Sequence, residues 1–202
     1  MEISPGIHRI EAPLGERYVA LYLVVGDESS MLVDTGLDES IGGTLLPYLR
    51  TIGHAPERLA YVVNTHGDFD HVGGNAAVRR AAPDAKLLVG RADVHLVESV
   101  ETMIAQRYGE FAAPHGFDEA DDTKTFIRSV TRTSPVDVPV DGGETFDLGG
   151  RAVQVLHVPG HSDGHLAVHD LTTGTLMIGD AVLSDSVLTA DQQPAFPPTY
   201  RK

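Results

Sequence analysis

Cysteine is absent from the 202-residue chain. No disulfide staples it and no thiolate is available to a metal, so any ion must be held by imidazole and carboxylate. Long apolar runs are missing too: none approaches the roughly 20 residues a bilayer-spanning helix needs, and no membrane segment is expected. Basic residues are scarce, 15 against 29 acids, and the formal charge of −14 disfavours nucleic acid or an anionic membrane surface as partner. The opening Met1-Glu2-Ile3-Ser4-Pro5-Gly6 has neither a basic nor an apolar leader region, which predicts cytoplasmic residence. What is present, 42% hydrophobic residues over this length, suits one well-filled domain over residues 1–202.

Apolar segments bounded by turn chemistry predict strands at Ile7 to Ala12, Tyr18 to Gly26, Ser30 to Val33 and Ala60 to Asn64. A helix is expected over Ser40 to Ile52, with Pro47 forcing a late start or a bend. Gly73-Gly74-Asn75 opens another helix through Ala82, followed by a strand at Lys86 to Val89. Residues 91–132 change character: Val94, Val97, Val100 and Ile104 fall at helical spacing, predicting a helical insert with an irregular stretch at 112–116. Strands then resume at Val136 to Val140, Glu144 to Asp147, Ala152 to Val158, Leu166 to Asp170 and Thr175 to Ile178. Two β-rich halves, each with helices, imply an α+β fold of two facing sheets with helices outside. The Pro-rich Gln192 to Lys202 shows no obvious closing element.

The most informative run is Thr65-His66-Gly67-Asp68-Phe69-Asp70-His71-Val72-Gly73-Gly74, which places four potential metal ligands within six positions directly after the apolar Leu59 to Val63. Neighbouring carboxylates repel and desolvated charge must be paired, so a bound cation is the economical reading of this cluster. The flanking Gly67, Gly73 and Gly74 would permit the sharp backbone curvature such convergence requires. Two further stretches, Pro159-Gly160-His161-Ser162-Asp163-Gly164-His165 and Gly179-Asp180, each follow a predicted strand and can reach the same sheet edge.

Taken in order with Asp34-Thr35-Gly36, these landmarks resemble the metallo-β-lactamase-fold superfamily, whose ligand run is His-x-His-x-Asp-His; Asp68 stands where the second His is usual. The resemblance implies a four-layer αββα sandwich, with a C-terminal part beyond residue 202 expected to be missing. It implies that His66, Asp68, His161 and Asp180 surround one metal and that Asp70, His71 and the bridging Asp180 serve a second. Asp34 and His165 are expected to orient these ligands by hydrogen bonding rather than touch metal. No His follows His169 to complete the second site, so firmer occupancy is expected at the first. Zinc, one or two ions, is the expected cofactor; the Asp68 carboxylate hardens the site toward iron or manganese.

The implied activity is hydrolysis of a small carbonyl substrate (lactone, thioester, ester or β-lactam) by metal-bound hydroxide, with Asp70 accepting a hydrogen bond from the attacking water. Two alternatives stand beside it: a catalytically weak metal-binding protein lacking its last ligand, and a di-iron redox protein related to the flavodiiron branch, which carries Glu at the position of Asp68. Substrate-binding residues and oligomeric state are not specified by the sequence. His115 and Tyr108 are the insert's weak candidates for facing substrate, whereas His8, His54, His95, His157 and His169 are assigned ordinary structural roles.

Overall fold

A computed structural model describes residues 1–183 and 185–197. Strands β1 (Glu2–Ser4), β2 (Ile7–Leu14), β3 (Arg17–Val25) and β4 (Ser30–Val33) pair antiparallel in sequence order. Three more, β5 (Leu59–Asn64), β6 (Lys86–Gly90) and β7 (Val138–Val140), extend the same sheet in parallel, so its seven strands lie in chain order. A four-stranded antiparallel sheet holds β8 (Thr145–Asp147), β9 (Ala152–His157), β10 (Leu166–Asp170) and β11 (Leu176–Met177). The hairpin of β12 (Val187–Leu188) and β13 (Pro194–Phe196) pairs apart from both sheets and puts a short strand into the Pro-rich segment. Residues 198–202 of that segment lie outside the described residues.

The central strands read as unbroken apolar runs because both of their faces are covered. Along β6, Leu87 and Val89 enter one hydrophobic cluster while Leu88 enters the other. The period of two likewise sends Leu32 of β4 to the first cluster, and Met31 and Val33 to the second. Helical residues Ile41, Leu45, Leu49, Val78, Met103 and Ile127 complete the first cluster. Val153, Val155, Leu166, Val168 and Met177 of the smaller sheet complete the second, which takes no described helical residue. Helices, large sheet and small sheet thus form three successive layers of the expected α+β sandwich; among the described residues no helical layer covers the outer face of the small sheet, so the fourth layer of the expected αββα arrangement is not seen.

Several boundaries differ from expectation. The helix expected from Ser40 begins at Asp38 and passes through a π-helical stretch, Ile41–Leu45, before Leu46–Thr51. Leu46 N–H bonds Ile41 C=O across five residues immediately ahead of Pro47, whose missing N–H is tolerated in a first turn. Pro47 therefore sits after a widened turn instead of delaying the helix. In the insert, 112–116 is not irregular: Ala112–His115 makes a helical turn ended by Gly116 at φ 67°, and the irregular stretch follows at 117–120.

Leu32 is fully buried between the sheet and the helices. Replacing it with alanine is expected to cost about 2–5 kcal/mol of stability, read as a lower urea midpoint; a change under about 0.5 kcal/mol, the range of surface substitutions, would contradict this packing.

Candidate metal centre

Each site residue leaves a strand end or short turn at one rim of the sandwich. Asp34 directly follows β4 with φ 61°, a left-handed conformation that short polar side chains tolerate better than most. Residues 65–68 leave β5 and lead into a four-residue helix, Phe69–Val72, that carries Asp70 and His71. His161 and His165 occupy the loop between β9 and β10, and Asp180 lies in a turn after β11. Leu166 N–H donates to Thr65 C=O at 2.7 Å, tying the two sheets together beside the cluster.

Gly67, Gly73 and Gly74 have negative φ, which corrects the expectation that they supply unusual backbone curvature. They are needed for close approach instead. A Cβ on Gly74 would stand 2.5 Å from Thr35 C=O, and one on Gly67 would stand 2.8 Å from Leu96.

Hydrogen bonds fix the tautomers of two histidines. The Asp34 carboxylate accepts from Thr65 N–H at 2.7 Å, Thr65 Oγ1 at 2.8 Å and His71 Nδ1 at 2.8 Å. An ionised carboxylate only accepts, so His71 carries its proton on Nδ1 toward Asp34 and turns Nε2 into the site. Because the Thr65 hydroxyl proton goes to Asp34, Thr65 Oγ1 is left to accept from His66 Nδ1 at 3.0 Å. Among the described residues His66 Nε2 is buried without a hydrogen-bond partner of acceptable geometry, and Asp68 Oδ2 lies 3.4 Å from it. Burial and the nearby His71 ring push the His66 pKa well below its ordinary value, keeping the imidazole neutral.

Around these nitrogens lie the carboxylates. Asp180 spans the cluster, with Oδ1 3.6 Å from His71 Nε2 and Oδ2 3.8 Å from His161 Nε2. Asp70 Oδ2 is 3.9 Å from His71 Nε2. Burial lowers the His71 pKa, but Asp34, Asp70 and Asp180 outweigh it and raise the pKa well above normal: the site demands positive charge. Two ligand sets, His66 with His71 and Asp180, and His66 with Asp68 and His161, each offer atoms within 4.8 Å of one another. Orphaned imidazole nitrogen, fixed tautomers and an N/O donor set fit a divalent transition ion such as zinc.

Asp68 begins the Phe69–Val72 helix, yet its side chain makes no capping bond. It turns instead to Arg107 from the insert, which grips it through Nε at 2.5 Å and a terminal nitrogen at 2.8 Å. That terminal nitrogen also lies 2.9 Å from His161 Nε2, itself 2.9 Å from Asp68 Oδ2. Sequence reasoning missed Arg107, although the extra carboxylate at position 68 signalled that a buried cation was required. It also missed Asp93, which accepts from Gly67 N–H, Ser162 Oγ and Gly164 N–H and thereby clamps both ligand loops. Asp93 belongs to no motif, and only its burial and partners reveal it.

His165 corrects another expectation. Both of its ring nitrogens lack hydrogen-bond partners among the described residues, and the ring instead stacks on His66, centroids 4.8 Å apart and planes at 14°. Burial lowers its pKa to about 4, so it supports the site as a neutral plate. The cluster forms the floor of a cleft of about 760 Å³ with walls that include Tyr18, Tyr22, Tyr108, Phe111 and Phe117. Tyr108 is thus in the cleft, whereas His115 does not line it.

The sequence matches the metallo-beta-lactamase superfamily over residues 14–202, and the chain belongs to that family. It is 32% identical over 184 residues to an acyl-coenzyme A thioesterase MBLAC2 of Bos taurus, covering 83% of this chain and 60% of the relative. It is 27% identical over 171 residues to a hydroxyacylglutathione hydrolase of Methylococcus capsulatus (85% of this chain, 50% of the relative). An N-acyl homoserine lactonase of Bacillus sp is 26% identical over 166 residues (71% of this chain, 54% of the relative). The chain therefore spans 50 to 60% of the length of these relatives. Among solved structures, a metallo-beta-lactamase family protein of Thermus thermophilus superposes with TM-score 0.76 at 25% identity, over 95% of this chain and 66% of that one.

Asp34→Asn tests the tautomer argument, since asparagine tolerates the left-handed backbone but can present N–H toward His71 Nδ1. Zinc affinity, measured by chelator competition, is expected to fall about 10–100-fold with the fold retained. Unchanged affinity would contradict the assigned role of Asp34.

Proposed function

We propose that this protein is a metal-dependent hydrolase of a carboxylic thioester, lactone or ester, with zinc as the first-choice ion and iron or manganese as alternatives. The observation that carries the reading is an imidazole and carboxylate cluster, with Asp68, Asp70, His71, His161 and Asp180 lining an aromatic-walled cleft and His66 Nε2 buried beside them without a hydrogen bond among the described residues. Relatives named as a thioesterase, a lactonase and a hydroxyacylglutathione hydrolase support it, all three being hydrolases of acyl compounds by name. His66, His71, Asp70 and Asp180, with Asp68 and His161 beside them, are the residues that would hold metal. When bound, the ion supplies Lewis acidity and lowers the pKa of water at the site.

The protein's own groups do the remainder. Tyr18, Tyr22, Tyr108 and Phe111 take the apolar part of the acyl group and exclude bulk water from the carbonyl. Asp70 accepts a hydrogen bond from the attacking water and holds its lone pair toward the carbonyl carbon. Burial raises the Asp70 pKa, Asp180 and Asp68 add to this and His71 opposes it; a raised pKa makes the carboxylate a stronger acceptor. Water oxygen bonds to the carbonyl carbon, the acyl bond to sulfur or oxygen breaks, and the leaving group departs with a proton. The competing di-iron reading drew on Asp68 as an added ligand, but both oxygens of that carboxylate accept hydrogen bonds from Arg107.

Metal-replete protein is expected to hydrolyse members of a panel of thioesters, lactones and esters. Chelation should abolish turnover, and Asp70→Ala should lower it about 10²–10⁴-fold. Undiminished turnover in Asp70→Ala would sink the assigned role. A panel untouched by protein loaded with zinc, iron or manganese would favour the weak metal-binding alternative.

A further inference from the structure

The guanidinium of Arg107 lies on one edge of the cluster only. Its two contacts to the Asp68 carboxylate are bidentate, and both residues are more than nine-tenths buried, Arg107 at 8% and Asp68 at 7% exposure. Glu110 stands 3.6 Å from the far nitrogen, and its charge helps hold the guanidinium in place. His161 Nε2 faces two demands, accepting from Arg107 at 2.9 Å or donating to Asp68 Oδ2 at 2.9 Å. It cannot do both, and either use occupies the lone pair position that a metal bond needs.

An ion at ordinary ligand distance, about 2.1 Å, from both His161 Nε2 and Asp68 Oδ2 would lie within about 4 Å of the terminal guanidinium nitrogen from any direction. Two cations that close repel, and arginine does not relieve this by losing its proton. The opposite edge carries no such obstacle. There His66 Nε2 makes no hydrogen bond among the described residues, His71 Nε2 is aimed inward by Asp34, and Asp180 and Asp70 supply negative charge.

We propose that Arg107 is a built-in cation that takes the place of one of two metal ions, so that this chain holds a single ion tightly, on His66, His71 and Asp180 with the Asp70 carboxylate beside them. This reverses the order of occupancy expected from the sequence, where the Asp68 site was the firmer. Asp68 and Arg107 are then a matched pair: the carboxylate replaces histidine because its partner is a guanidinium instead of an ion. The inference rests on the metal-site reading above, and its test separates the two.

Equilibrium dialysis of the full chain against zinc, followed by elemental analysis, is expected to give one tightly held ion per chain. In the double variant Asp68→His with Arg107→Met, which removes the buried charge pair together, a second ion should bind at least about tenfold more tightly than in the parent. Imidazole ¹⁵N shifts provide a readout on the unmodified protein: zinc should move Nε2 of His66 and His71 and leave Nε2 of His161 in place. Two tightly held ions in the parent, or a zinc-dependent shift at His161 Nε2, overturns the proposal while leaving the hydrolase reading intact. A double variant that folds and still holds one ion also overturns it. No bound ion at all overturns both.

Discussion

One buried carboxylate, Asp34, organises the rim of this molecule. It stands at the end of a strand whose residues are all buried, in a backbone conformation that aims it toward the next strand's exit. From there it accepts the Thr65 amide, the Thr65 hydroxyl and His71 Nδ1 at once. The consequence runs outward through two imidazoles: His71 directly and His66 through the hydroxyl both turn Nε2 to the same space. Without that anchor the histidines would be free to rotate or change tautomer, and the cluster would lose the donor geometry on which the function rests.

The second constraint is charge. Asp34, Asp68, Asp70 and Asp180 crowd one small region, and desolvated carboxylates in such number require positive partners. Arg107 supplies one from the insert, which makes those helices part of the site's electrostatics as well as its cover. Two ligand loops are further tied by Asp93, which holds Gly67 against the Ser162 to Gly164 stretch. Close packing at the glycines serves the same end: a Cβ on Gly90 would stand 1.9 Å from Gly164 C=O, so side chains at this junction would push the loops apart.

Much of this was legible in the residues because the signals were local or ordered. The apolar run Leu59 to Val63 marked a buried strand, and the ligand motif marked the strand exit that carries His66 to His71. Long-range geometry was not legible. Nothing in the Arg107 neighbourhood distinguishes it from the insert's other basic residues, and its role emerges only when the fold brings it to Asp68. Asp93 was hidden for the same reason. His165 was expected to act as a hydrogen-bonding group; its ring stack on His66 depends on loop conformation that spacing does not encode. The π-helical turn before Pro47 shows another limit, since the proline predicted an interruption while its form depended on packing against the sheet.

The central claim is that distant histidines and carboxylates are pre-aligned around one ion by Asp34, beside an arginine that already neutralises Asp68. Anomalous diffraction at the zinc edge from crystals grown with zinc tests it most directly. The account predicts a peak about 2.0–2.1 Å from both His66 Nε2 and His71 Nε2, with Arg107 still seated on Asp68. A peak bonded instead to Asp68 and His161, with Arg107 displaced, would contradict it.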